Sequence, residues 1–313
     1  MGVLAVLLNL NKVRRNFLLA KQALLREQPD VLVLIDYPSF NLRMAAFCKK
    51  HLPHTRVVYY IPPKIWAWKT WRVHKIARLC DLVLGIFPFE PDFYARYGYK
   101  CLYVGNPTMD SVRSFQPSAH GTDPVIAVLP GSRRSEISHC LPVMLKAARQ
   151  VADTLTAENY HIIVAAAPGV EDDFYMSYLI EGEQLTRQTY QVVSQARAAI
   201  VNSGTATLET ALLRCPQTAV YYVALSRYLW FLKPLIFHIP HFTLVNIIAK
   251  KEVIQELVAQ RFTEDEISRE LMRLLTDSHY REQMQAGYEH IRLLLGDTPA
   301  ADNAALQILQ LCR

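Results

Sequence analysis

Two stretches of this sequence put small polar residues where an apolar run gives way to a helical pattern. The first is LPGSRRSEI at 129–137. Leu129 closes a strand-like run, Pro130, Gly131 and Ser132 make a tight turn, and a helix pattern follows. Gly131 permits a close backbone approach, amides at a helix start can meet an anion, and Arg133 can add a charge-assisted contact. The same residues also fit an ordinary turn, with Ser135 as helix cap and Glu136 in the first turn. The second stretch is VNSGTATLETALL at 201–213. Asn202, Ser203, Gly204 and Thr205 form the joint, and Glu209 follows one turn into the helix. Simple capping by Ser203 or Thr205, with Glu209 favourable to the helix dipole, is one account. The other is a ligand, with phosphate at the small residues and a ribose diol at the carboxylate. Two such loops at the carboxyl ends of parallel strands fall where open α/β sheets bind ligands. Together with Glu209 they point to a nucleotide diphosphate.

A third turn, IDYPSFNLR at 35–43, places Asp36 after four apolar residues and before a proline. A carboxylate there can act as a base or position a sugar hydroxyl; it equally fits a turn-forming Asp-x-Pro that bonds local backbone. Asn41 is a second polar candidate on the same turn. IPPKIWAWKTWRVHKIAR at 61–78 interleaves Trp66, Trp68 and Trp71 with Lys64, Lys69, Arg72, Lys75 and Arg78. Aromatic rings at headgroup level with cations on phosphate suit a lipid interface. Trp230 and Phe231, in YLWFLKPLIFHIP at 228–240, supply a second such segment. Core tryptophans under a solvated basic helix are the alternative. No nucleic-acid recognition motif accompanies these residues. The histidines form no HExxH set, the acidic residues no DxD pair, and Ser203 no GxSxG elbow. Neither a metal site nor serine hydrolysis is expected.

The elements that must carry these turns are legible as alternation. VLVLIDY (31–37), RVVYYI (56–61), LVLGIF (82–87) and CLYVGN (101–106) are short and apolar on both faces, which indicates parallel sheets covered on both sides. FQPSAHGTDP (115–124) reads as a linker. The alternation then restarts with VIAVL (125–129), a helix near 136–153, HIIVAAA (161–167), helices near 171–180 and 188–196, AAIV (198–201), a helix near 205–214 and TAVYYVA (218–224). Amphipathic segments near 263–276, 279–295 and 300–312 complete the chain. The expected organisation is α/β with two Rossmann-like domains, at 1–115 and 122–295, and a terminal helical segment, 296–313, packing back on the first domain or on a partner subunit. The first domain opens on a helix-like segment rather than a strand and loop, so it reads as incomplete at its start.

Composition narrows the class. The chain has 313 residues, 51% of them hydrophobic, and a net charge of +6. That modest basic excess fits an anionic ligand or membrane surface and is too small to argue for nucleic acid. The six cysteines show no CxxC pairing and read as buried, reduced thiols of a cytosolic protein. No run of about 18 uninterrupted apolar residues is present.

VLIDYPSFNL, YYIPPKIWAW, FPFEPDFYARYG, YVGNPTMD, LPGSRRSEI, NSGTATLETALL and FTLVNIIAKKEVIQEL, in this order, resemble the lipid-A-disaccharide synthases, inverting glycosyltransferases of the GT-B type. The resemblance runs along essentially the whole chain. It implies two Rossmann-like domains and transfer of 2,3-diacylglucosamine from its UDP ester to 2,3-diacylglucosamine 1-phosphate. The products would be a β-1,6 disaccharide phosphate and UDP. It implies no metal or other cofactor, a homodimer with its C-terminal helices exchanged, and a peripheral location on the cytoplasmic face of the inner membrane. Arg133, Ser203, Gly204, Thr205, Glu209 and Asn246 match donor-side positions, and Glu256 lies with Asn246 in a donor-side segment. Ser39 stands where the family commonly has a second aspartate, so Asp36 is the remaining candidate base. Asn106 stands where histidine is frequent. The family's opening strand and Gly/Ser-rich loop precede the position of Met1, which implies weak turnover by this chain or none. Another GT-B enzyme acting on a UDP-sugar, such as a UDP-N-acetylglucosamine epimerase, and a non-catalytic UDP- or membrane-binding chain are the alternatives.

Overall fold

The computed structural model describes residues 10–118, 124–202, 204–223 and 240–312. The chain divides into two units, one of Met1–Pro107 with Thr298–Arg313 and one of Thr108–Asp297. The division falls ahead of the Pro/Ser/Gly-rich stretch, because Phe115 and Ser118 at its start pack within the second unit. Phe115 meets Tyr190 ring to edge, and the Ser118 amide donates to Gln191 Oε1 at 2.9 Å.

The first unit runs α1 (Leu10–Glu27), β1 (Val31–Ile35), α2 (Pro38–His51), β2 (Arg56–Tyr60), α3 (Arg72–Leu79), β3 (Leu82–Gly85), α4 (Glu90–Ala95), β4 (Leu102–Tyr103) and α5 (Pro107–Ser114), which crosses into the second unit. Its four strands form one parallel sheet in the order β1-β2-β3-β4. Successive strand residues face opposite sides, and β2 uses both. Val57 and Tyr59 enter the core beneath α2 and α3, whereas Val58 joins Leu84, Val104 and Ala304 on the other face. Burial of such side chains contributes about 1.5–3 kcal/mol each. Ala304 belongs to α13 (Ala300–Leu309), so the last helix closes the second face. Gly105 makes this docking possible: at φ +101° a Cβ there would lie 2.3 Å from the Thr298 carbonyl.

The second unit continues with β5 (Val125–Leu129), α6 (Arg134–Thr154), β6 (His161–Ala165), α7 (Asp172–Met176), β7 (Gln184–Thr186), α8 (Thr189–Gln195), β8 (Ala196–Asn202), α9 (Thr205–Leu212), β9 (Gln217–Tyr221), α10 (Leu244–Ala249), β10 (Glu256–Val258), α11 (Glu264–Thr276) and α12 (Ser278–Leu295). Its six strands are all parallel, in the order β10-β9-β8-β5-β6-β7. From β5 the chain builds outward through β6 and β7. It then crosses back to β8 and builds the other way. The reversal lies between β5 and β8, and the crevice at the carboxyl ends of that strand pair is where open sheets take ligands. Every residue of β5 is buried, as the unbroken apolar run VIAVL requires of a central parallel strand.

Cys48, Cys80, Cys101, Cys140 and Cys215 are buried free thiols. Among the described residues no helix is long and apolar enough to cross a membrane. No group of three or more His, Cys, Asp or Glu among them converges as a metal site.

Candidate functional site

A cavity of about 220 Å³ opens at the switch point of the second unit. Its walls are Gly131, Ser132 and Glu136 after β5, Ala165–Pro168 from the last residue of β6 onward, Thr189 of α8, and Asn202, Gly204, Thr205, Ala206 and Glu209 around the start of α9. Both polar turns picked out in the sequence therefore face one space. Ser203, between two of the lining residues, lies outside the described residues.

Gly131 is required by geometry. Its φ is +113°, and a Cβ would come within 2.5 Å of Asn202 Nδ2 and 3.0 Å of Glu136 Oε2. The close approach lets Asn202 Nδ2 donate to the Pro130 carbonyl at 3.1 Å, tying the end of β8 to the end of β5. Asn202 Oδ1 is buried and finds no partner among the described residues. A buried acceptor left unpaired is costly, and this one belongs to a cavity wall. The third wall is held rigid from behind. Arg187 donates to the carbonyls of Ala167 (3.1 Å) and Val170 (2.9 Å), and the Ala167 amide donates to the Tyr175 hydroxyl at 2.9 Å.

Among the described residues no side chain caps either helix at the cavity. The N-cap of α6 is Arg133 and that of α9 is Gly204, so Ser135 and Thr205 do not cap. The first amides of both helices and their positive dipole ends stay available to an anion. In α6 a carboxylate of the chain already uses part of this potential. Glu136 Oε1 pairs with Arg133 Nη1 at 2.6 Å, and its Oε2 accepts from the Ser132 amide at 3.3 Å. The next arginine, Arg134, pairs with Glu171 and lies 5.1 Å from the Phe174 ring centroid.

Glu209 is half-buried in the wall. Burial pushes its carboxyl above the usual range, against the hydrogen bond it accepts from the Tyr190 hydroxyl at 3.1 Å. Tyr190 and Thr189 carried no motif signal, and Glu136 was read only as a first-turn residue of the LPGSRRSEI stretch. Their placement comes from contacts between segments, and nothing in the sequence marked the wall after β6.

Asn246 and Glu256 are not brought to this cavity. Asn246 is fully buried and satisfied: Nδ2 donates to the Ile254 carbonyl (2.9 Å) and Glu256 Oε1 (3.0 Å), while Oδ1 accepts from the amides of Val253 and Ile254. Glu256 also accepts from the amides of Phe242 and Thr243 and from the Thr243 hydroxyl. Together they clamp the start of α10 to β10.

In the first unit, Asp36 and Tyr37 take consecutive left-handed conformations, φ +47° and +39°. Non-glycine residues pay roughly 1–2 kcal/mol each for this. Asn41 offsets the strain by donating Nδ2 to the carbonyls of Ile35 (2.9 Å) and Asp36, and the Tyr59 hydroxyl donates to the Asp36 carbonyl at 2.8 Å. Asn41 is thus a brace, and the exposed Asp36 side chain is what the braced turn presents.

The tryptophans divide. Trp66, 7% exposed, is a core residue rather than a surface one. Its indole donates to Glu90 Oε1 at 3.2 Å, and its ring meets Phe87 and Phe89 edge-on. Trp68 and Trp71 are 46% and 63% exposed. Lys69 Nζ lies 4.1 Å from the Trp68 ring centroid, and the Arg72 guanidinium 5.6 Å from that of Trp71. Trp230 and Phe231 lie outside the described residues.

Two parallel α/β units, one with uncapped helix starts around a cavity at its switch point, define the GT-B class of glycosyltransferases and sugar-nucleotide epimerases. The fold is similar to a UDP-GlcNAc 2-epimerase from Neisseria meningitidis solved with UDP-GlcNAc (TM-score 0.65, 10% identity, 95% of this chain and 81% of that one). It is also similar to the calicheamicin glycosyltransferase CalG4 (TM-score 0.57, 17% identity, 99% and 81%). Likeness at such identities concerns the fold alone. Sequence decides within the class. The family model for lipid-A-disaccharide synthetase matches residues 1–309. The lipid-A-disaccharide synthase of Geobacter sulfurreducens is 33% identical over 99% of this chain and 82% of its own length. That of Trichlorobacter lovleyi is 36% identical over 94% and 79%. The chain belongs to the lipid-A-disaccharide synthetase family and is a glycosyltransferase.

Proposed function

We propose that this chain transfers 2,3-diacylglucosamine from UDP to the 6-hydroxyl of 2,3-diacylglucosamine 1-phosphate, with inversion at the anomeric carbon. The observation that carries the reading is the switch-point cavity, where two uncapped helix starts and a glutamate line one space. The donor diphosphate lies against the first amides of α6 and α9, with Arg133 as a charged partner. To receive it Arg133 leaves Glu136. Glu209 accepts from the ribose hydroxyls. The acceptor oxygen attacks the anomeric carbon as the bond to UDP breaks, and Asp36 takes the hydroxyl proton. Charge that develops on the leaving diphosphate is met by fixed amide dipoles and Arg133, donors that need no reorganisation at the moment of transfer.

The acyl chains of both substrates require a lipid surface. We assign Trp68, Trp71 and Arg72 to that contact, at the cytoplasmic face of the inner membrane, in a homodimer. Exposed indoles paired with cations support this part of the reading.

Titration calorimetry with UDP tests the donor site. The full chain is expected to bind UDP, and Arg133→Ala to weaken binding about tenfold, as loss of an exposed charge-assisted contact should. Absence of UDP binding, or binding indifferent to Arg133→Ala, refutes the assignment. Formation of the disaccharide phosphate from the two lipid substrates, lost in Asp36→Asn, tests the transfer step.

A further inference from the structure

Tyr190 follows Thr189 of the cavity wall and belongs to no motif. Its hydroxyl donates to Glu209 Oε1 at 3.1 Å. The Ser111 hydroxyl hydrogen-bonds the Tyr190 phenol in turn, and the Phe115 ring meets the Tyr190 ring at 5.6 Å and 89°. Segments far apart in the chain, namely α5 with its exit and α8, thus meet at Tyr190, which alone of them reaches the Glu209 carboxylate of α9. Glutamate has three side-chain torsions, and ordering them on ligand binding subtracts from affinity. A phenol held from behind by Ser111 and Phe115 removes that cost beforehand, because it fixes Oε1. Among the described residues no other donor reaches the carboxylate, so the second lone pair of Oε1 and both of Oε2 can accept from a ligand.

We propose that Tyr190 is a positioning residue for the sugar nucleotide: it holds Glu209 so that the carboxylate accepts from both vicinal hydroxyls of the ribose. The site therefore selects ribonucleoside diphosphates over their 2′-deoxy counterparts. The proposal rests on the donor-site reading given above. A carboxylate fixed for two donors is left imperfectly paired when one hydroxyl is missing. A carboxylate free to rotate turns to the remaining hydroxyl and discriminates less. Tyr190→Phe keeps the ring and its contact with Phe115 and removes only the donor, so a tyrosine that merely packs would show no change in sugar preference.

The experiment titrates the full chain with UDP and with 2′-deoxy-UDP, and follows folding by thermal melting. The wild-type protein is expected to prefer UDP by about tenfold, the effect of one hydrogen bond to a charged group. In Tyr190→Phe the preference is expected to fall to about twofold, with most of the loss on the UDP side. Ser111→Ala, which loosens the phenol from behind, is expected to fall between the two, and it carries the test should Tyr190→Phe not fold. An unchanged preference in both variants, or a wild-type protein indifferent to the 2′-hydroxyl, overturns the proposal while leaving the donor site intact. Failure of the wild-type protein to bind UDP overturns the donor site, and this inference with it.

Discussion

At the scale of single residues, the proposed donor site turns on a competition for Arg133. Glu136 sits in the first turn of α6, where a carboxylate favours the helix dipole. The same carboxylate pairs with Arg133 and accepts from the Ser132 amide, the groups a diphosphate would use. Its two effects have opposite signs, which makes them separable. Glu136→Gln removes a negative charge facing the ligand and frees Arg133. UDP affinity is expected to rise roughly threefold, the size of a weak, partly exposed ion pair. Stability is expected to fall by about 0.3–1 kcal/mol through the lost dipole interaction. Calorimetry with UDP and urea denaturation measure the two separately. Tighter binding with lower stability supports the competition, and weaker binding would mean that Glu136 helps to hold the ligand.

At the scale of elements, the sequence showed where strands are apolar on both faces and little of what happens at their ends. VIAVL and HIIVAAA announce β5 and β6 because burial on both faces demands unbroken apolar runs. β7 and β10 are three residues each and partly polar, too short for any period to register. The two polar turns were legible as candidates because small residues at a strand-to-helix joint suit a ligand as well as a helix cap, and the fold brings both turns to one cavity. The bracing contacts of Asn41, Asn246 and Glu256 were not, because a polar side chain that braces backbone reads the same in sequence as one that meets a ligand. Glu90 is the sharpest example. In the sequence it is one letter of FPFE. In the fold, at 1% exposure, it joins β3 to α4 by accepting from the amides of Ile86 (2.8 Å) and Phe87 (2.9 Å) and from Trp66. Burial pushes its carboxyl up to about 7, opposed by those donors and by Lys64. The folded value lies above the ordinary one of 4.5, so the folded chain binds this proton more tightly than the unfolded one. Its stability contribution is complete below about pH 4.5 and is lost as pH rises through about 7. Melting temperature measured from pH 5 to 8 is expected to carry this loss, and Glu90→Gln to flatten that part of the profile. The variant also melts lower throughout, because an amide nitrogen facing the Trp66 indole sets two donors against each other. A slope unchanged in Glu90→Gln would assign the pH dependence to other groups.

At the scale of the whole molecule, net charge and surface aromatics bear on how the chain meets its lipid substrates. A charge of +6 is modest for 313 residues, and long-range attraction to an anionic surface fades over about 8–10 Å in physiological salt. Charge alone therefore gives weak, salt-sensitive attachment. In the membrane contact proposed above, Trp68 and Trp71 would add a term of another kind, since the transfer of exposed indole to the headgroup region does not depend on salt. The cations Lys69 and Arg72 lie over those same rings, so the two terms act at one place and can be dissected by different substitutions. In sedimentation with phosphatidylglycerol-containing vesicles, Trp68→Ala with Trp71→Ala is expected to lower binding at every salt concentration and to leave the salt dependence unchanged. Lys69→Ala with Arg72→Ala is expected to reduce the salt dependence, by about 1 kcal/mol per cation at low ionic strength. If the tryptophan pair alters only the salt dependence, the rings serve to hold the cations and do not enter the lipid. If neither pair alters binding, the contact lies elsewhere on the chain, and Trp68 and Trp71 owe their exposure to something other than a membrane.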